Sequence, residues 1–187
     1  SAAITLDIVH SFLSTYVRIN ARRWTSIGVK SEHIDFSFPA MVTGNNNNVF
    51  ESVISTNGSG DATQVACHFG KQVPNTTTIF DFASNMIINT SCIGGAGYGM
   101  RLGFADNNTF VMSNFSGTIA AIDFVDCTNG APFANVFLQS PMGSPFTATP
   151  TTFIAASPNF FMPLSTGEFF QDLGAIIGYA SGFDTQG

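Results

Sequence analysis

The side chains able to do chemistry are few and scattered. The three cysteines, Cys67, Cys92 and Cys127, form no CxxC pair. One disulfide with a free thiol, or three buried thiols, would both account for an odd count at such spacings. Cys67 falls on the apolar parity of an alternating run, so a buried, reduced thiol is the favoured expectation. Metal sites gather His with Cys, Asp or Glu at short fixed spacings. The histidines are His10, His33 and His68; His33 shares strand parity only with Asp35, and Cys67 and His68 are strand neighbours that point to opposite faces. No metal and no cofactor is expected.

Nucleophile chemistry has no better footing. Gly58-Ser59-Gly60 lacks the Gly-x-Ser-x-Gly frame, and nothing in the sequence directs Cys127 towards His10. Asp35, Glu51, Asp81, Asp123 and Asp126 lie mostly on polar strand parity or in turns, as solvated carboxylates do, rather than as an acid–base pair. The run Gly94-Gly95-Ala96-Gly97-Tyr98-Gly99 is followed by a strand pattern instead of a helix, so it does not read as a phosphate cradle. It reads as a flexible strand connection or as a close backbone approach to a neighbouring subunit. Asn57, Asn75, Asn89, Asn107 and Asn114 sit in N-x-S/T sequons, which matter only on a eukaryotic secretory route. No catalytic residue is assigned, and the chain is not expected to be an enzyme.

The elements that would position these groups follow from periodicity. Ile4, Ile8, Val9, Phe12, Leu13, Tyr16 and Val17 recur at spacings of a helical stripe, which predicts an amphipathic N-terminal helix. Asp7 suits its start, and Arg18, Arg22 and Arg23 its end. Beyond Ser31 the period becomes two: Ile34–Phe38, Val65–Phe69, Met100–Phe104 and Ala120–Val125 alternate, and Asn/Gly/Asp clusters separate them. Gly99–Ser113 reads as a hairpin with Asp106-Asn107-Asn108 at its tip. Five prolines between Pro141 and Pro163 predict an extended loop or edge strand, and no internal repeat is evident. The expected fold is mainly β, an antiparallel, jelly-roll-like β-sandwich over residues 31–187 behind a helical arm over residues 1–30.

Composition adds the setting. Of 187 residues only 10% are charged, whereas 52 are Asn, Ser or Thr. A mean hydropathy of +0.23 excludes disorder, and no apolar run is long enough for a membrane-spanning helix. The first 30 residues carry a net charge of +3 and the remainder −9, so nucleic acid is conceivable only at the basic group Arg18, Arg22, Arg23 and Lys30. A chain this poor in ions and this rich in Phe is suited to contact with copies of itself. The layout resembles viral or phage jelly-roll coat and spike proteins at the level of fold class. The expectation is a structural, self-assembling subunit of capsid, spike or fibre type, on a virion or a cell surface. A second expectation is an extracellular adhesin contacting glycans or a host surface through Asn45, Asn46, Asn47, Asn48, Asp106, Asn107 and Asn108.

Overall fold

The computed structural model describes residues 3–9, 11–32, 45–56, 60–70, 82–103, 105–125, 135–138, 147–149 and 160–162. Through these the backbone repeats one circuit. The first coil holds β1 (Ile4–Ile8), β2 (Thr15–Val17) and β3 (Asn20–Arg22). The second holds β4 (Ile27–Ser31), β5 (Asn45–Asn46), β6 (Val49–Glu51) and β7 (Ile54–Thr56). The third holds β8 (Val65–Phe69), β9 (Phe82–Ala83), β10 (Met86–Ile88) and β11 (Ser91–Ile93). The fourth holds β12 (Tyr98–Leu102), β13 (Ala105–Asp106), β14 (Thr109–Val111) and β15 (Asn114–Ser116). After them come β16 (Ala120–Val125), β17 (Val136–Leu138), β18 (Thr147–Thr149) and β19 (Phe160–Met162).

Like strands of successive coils pair side by side, and every pairing among the described residues is parallel. Sheet I is β1-β4-β8-β12-β16-β18, sheet II β5-β9-β13, sheet III β2-β6-β10-β14-β17-β19 and sheet IV β3-β7-β11-β15. Parallel neighbours cannot be joined by a tight turn, so the other sides of each coil serve as the crossover. The result is a parallel β-helix.

This overturns the antiparallel sandwich and the N-terminal helix. No helix occurs among the described residues, and Ile4–Ile8 is a strand paired with Ile27–Ser31. The apparent helical stripe has a different origin. Leu13 and Arg18 turn the chain at left-handed φ values of 51° and 57°, on either side of three-residue β2. Corners five residues apart space apolar residues much as a helix does. The hairpin over Gly99–Ser113 is also corrected, because β12 and β14 belong to different sheets. The alternating strands at residues 65–69 and 120–125 are present as β8 and β16, and the run from Met100 falls in β12; only their pairing differs from expectation. Thr147–Thr149 and Phe160–Met162, in the proline-rich stretch, end their sheets. The run Ile34–Phe38 lies outside the described residues.

A repeat does exist. Ile4, Ile27, Val65, Tyr98 and Ala120 stack in one register, at steps of 23, 38, 33 and 22 residues. Insertions of unequal length between the strands break the fixed period by which repeats are recognised.

In-register stacking builds the core. Tyr16, Phe50, Ile87, Phe110 and Phe137 occupy one row of sheet III and point inwards. Phe110 and Phe137 stack with ring centroids 4.5 Å apart, and Tyr16 and Phe50 at 4.9 Å. Phe69 from sheet I stacks on Phe82 from sheet II at 4.8 Å. Parallel in-register strands place like beside like, the arrangement that favours aromatic and amide ladders. Across the coil, Cys67 of sheet I is disulfide-bonded to Cys92 of sheet IV, with Cα atoms 5.7 Å apart. The expected reduced thiol at Cys67 is therefore corrected. Both residues are buried, but they project from different sheets towards one point.

Candidate functional site

The asparagines expected at binding-loop tips have another place. Asn45, Asn48 and Asn108 are buried, with Asn85 and Asn135, at the corner where sheet II gives way to sheet III. Their carboxamides form a ladder along the coil axis. The Asn48 amide N–H donates to Asn85 Oδ1 at 2.9 Å, the Asn85 Nδ2–H to Asn108 Oδ1 at 3.0 Å and the Asn108 Nδ2–H to Asn135 Oδ1 at 2.9 Å. Further bonds run to backbone carbonyls, Asn85 to Asn45 at 2.8 Å and Asn108 to Phe82 at 3.0 Å. A tight corner leaves backbone polar groups that the strands cannot pair, and a buried Asn supplies both donor and acceptor. Asn46 is half-buried, and of this set only Asn47 and Asn107 are exposed.

Asp106 is 3% exposed and accepts the Asn107 Nδ2–H at 3.0 Å. Burial pushes its carboxyl up to about 6. Left-handed residues flank sheet III on both sides, Leu13, Asn47, Ser84 and Asn107 before it and Arg18, Ser52, Asn89 and Met112 after it. The amides at these corners still reach the next coil, as Ser84 does to Asp106 and Ser52 to Ile88.

The titratable groups gather instead on sheet I. Asp7, Lys30, His68, Arg101 and Asp123 occupy one row, opposite in parity to inward Cys67 and Phe69. The row neutralises itself. Arg101 Nε donates to Asp123 Oδ2 at 2.8 Å, its guanidinium lies 4.4 Å from the Tyr98 ring centre, and Lys30 pairs with Glu32. His68 stands between the two cations and is only 7% exposed. Burial first, then the Arg101 and Lys30 charges, pull its imidazole down to about 4, against a hydrogen bond to the Gly70 backbone. Its Nε2 has no hydrogen-bond partner among the described residues. The histidine is neutral at pH 7, and Arg101 and Lys30 are ion-paired with Asp123 and Glu32. No group of three or more metal-ligating side chains occurs among the described residues.

The remaining candidates are dispersed. Phe12, Leu13 and Val17 are exposed, Ile4 and Val9 are half-buried, Ile8 is buried, and Tyr16 is half-buried against Phe50. Arg18, Arg22 and Arg23 are exposed; Arg22 belongs to β3 of sheet IV and Arg18 and Arg23 to turns, whereas Lys30 is in β4 of sheet I. Asn89 and Asn107 are exposed sequons and Asn114 is half-buried. His10, His33, Asp35, Asp81, Asp126, Cys127, Asn57 and Asn75 lie outside the described residues. The glycine run does make a close approach, but to the next coil of the same chain. A Cβ on Gly97 would collide with the Gln64 carbonyl oxygen.

The outward faces of three sheets differ in kind. Sheet I carries the charged row; sheet IV carries Asn20, Ile54, Ser91 and Asn114 beside Arg22, Thr56, Ile93 and Ser116. Sheet III carries Thr15, Val49, Met86, Thr109 and Val136 beside Val17, Glu51, Ile88, Val111 and Leu138. Val17 is 48% exposed and Met86 44%. Sequence reasoning missed this apolar face. Its only signal was alternation without polarity, as at Met86-Ile87-Ile88, where inner and outer residues are equally apolar.

No family model, no curated protein and no solved structure matches the chain.

Proposed function

We propose that the chain is a structural, non-catalytic subunit that assembles with copies of itself, of the capsid, spike or fibre type, on a virion or an extracellular surface. The observation that carries this is how its polar chemistry is used. Asn48, Asn85, Asn108 and Asn135 bond to one another and to the backbone along the coil axis, and Arg101 and Lys30 bond to Asp123 and Glu32. Such ladders tie each coil to its neighbours, which support it. The Cys67–Cys92 disulfide supports an oxidising setting, where such a bond persists. Low ionic content supports self-contact. Native mass spectrometry and sedimentation equilibrium on the full chain at micromolar concentration test this. A discrete oligomer or growing fibre is expected, and a monomer throughout the range overturns the proposal.

A further inference from the structure

We infer that sheet I is the acid-labile side of the coil: a proton taken up by His68 parts β8 from β4 and β12, while the asparagine corner stays closed. The geometry of the charged row sets this up. Lys30 and Arg101 are the direct register partners of His68, on strands about 4.8 Å to either side. The carboxylates of the row, Asp7 and Asp123, each stand two strands away, on β1 and β16. Asp123 is bonded to Arg101, whose guanidinium also lies over the Tyr98 ring, and Glu32 is paired with Lys30. His68 is thus buried between two cations, and no described carboxylate stands in register beside it.

A neutral imidazole suits this position and a charged one does not. The ring bonds to the Gly70 backbone, and its Nε2 meets no hydrogen-bond partner among the described residues. Protonation at Nε2 adds a buried N–H and a buried charge with no acceptor, between two like charges. The imidazole is accordingly pulled down to about 4, by burial first and then by Arg101 and Lys30. Parting the strands lets water reach the ring, so the open form takes the proton more readily than the closed one. Cys67, the preceding residue, is disulfide-bonded to Cys92 of sheet IV. That bond anchors β8 in the coil, and its lateral pairings are what yield.

The corner between sheets II and III responds otherwise. Its ladder of Asn48, Asn85, Asn108 and Asn135 consists of carboxamides, which gain no proton in this range. Asp106, two residues before Asn108, is a buried carboxyl held up at about 6, so acid removes a buried charge there. Falling pH loosens one side of the coil and relieves the other.

Hydrogen exchange on the full chain at pH 7, 5.5 and 4.5 tests this, expressed as protection factors so that the intrinsic pH dependence cancels. Residues 28–31, 66–69 and 99–102 should lose protection by up to about tenfold per pH unit as pH falls, the limit for one proton. Residues 86–88 and 109–111 of sheet III should keep theirs. In H68Q, whose carboxamide takes up no proton, the loss in sheet I should vanish. An NMR titration of the wild type needs no variant: the His68 ring should stay neutral down to pH 5. Equal loss of protection in all sheets means that the coil melts as a whole and overturns the inference. So does a sheet I loss that persists in H68Q, or a folded-state imidazole that titrates in the ordinary histidine range.

Discussion

Asn85 and Asn108 face each other across adjacent coils, with both the Asn85 amide and its Nδ2–H donating to Asn108 Oδ1, at 2.9 and 3.0 Å. One acceptor oxygen thus closes two donors at a buried corner. Replacing Asn85 with Ala leaves Asn108 Oδ1 its bond from the residue 85 amide but takes the acceptor from the Asn48 amide and the side-chain donor from the Asn45 carbonyl. Each buried group left unpaired costs about 1–3 kcal/mol. Urea denaturation of N85A should show a loss of about 3 kcal/mol or more, whereas exposed N107A loses far less. Equal losses would mean the ladder adds little beyond the corner's backbone bonds.

The Cys67–Cys92 bond closes a 25-residue separation and links sheet I to sheet IV inside the coil. Loop-closure entropy for that length is worth about 3 kcal/mol. C67S/C92S should melt lower than the wild type, and non-reducing peptide mapping should recover the 67–92 cross-link. Recovery of both residues as free thiols from protein folded under oxidising conditions would contradict the pairing.

Some of this fold was legible and some was not, for identifiable reasons. The alternation at Val65–Phe69 and Ala120–Val125 located strands, because one parity of each faces a dry interior. Pairing direction was not legible. Alternation is a property of one strand, whereas parallel stacking depends on what lies a whole coil away. The cue was Asn followed two residues later by a large apolar side chain, at Asn48/Phe50, Asn85/Ile87, Asn108/Phe110 and Asn135/Phe137. Steps of 37, 23 and 27 residues hid it. The corners left a cue only at Asn47, Asn89 and Asn107, whose residue type favours the left-handed region; Leu13, Ser84, Arg18 and Met112 share that conformation but no side-chain chemistry. The charged row was equally hidden: Lys30, His68 and Arg101 become neighbours only through register.

The glycine corner gives a sharp contrast. At Gly97 an added methyl would meet the Gln64 backbone, which cannot swing aside as a side chain can. G97A should lose about 3 kcal/mol or fail to accumulate as folded protein. Gly60, by comparison, has open space around its Cβ position but a φ of +79°. G60A should cost only about 1 kcal/mol, the strain of a left-handed residue. Thermal melts of the two variants decide this, and a G97A melt equal to that of G60A would show that the coils can part at this corner.

His68 and Asp106 set opposing pH dependences. The His68 imidazole titrates at about 4 when folded against 6.5 unfolded, so the unfolded chain binds more protons between those values. Its stability contribution is complete above pH 6.5 and is lost as pH falls towards 4. Asp106 titrates at about 6 when folded against 3.8 unfolded, so there the folded chain binds more protons. Its contribution is complete below pH 3.8 and is lost as pH rises through 6. Between about pH 4 and 6 the two slopes, each up to about 1.4 kcal/mol per pH unit, offset one another. D106N should therefore lose stability on acidification from pH 6.5 to 4 more steeply than the wild type, and H68Q should gain over the same window. Chemical denaturation at pH 4, 5, 6 and 7 reads both slopes. Parallel profiles for all three proteins would mean that neither group is held away from its ordinary range by the fold.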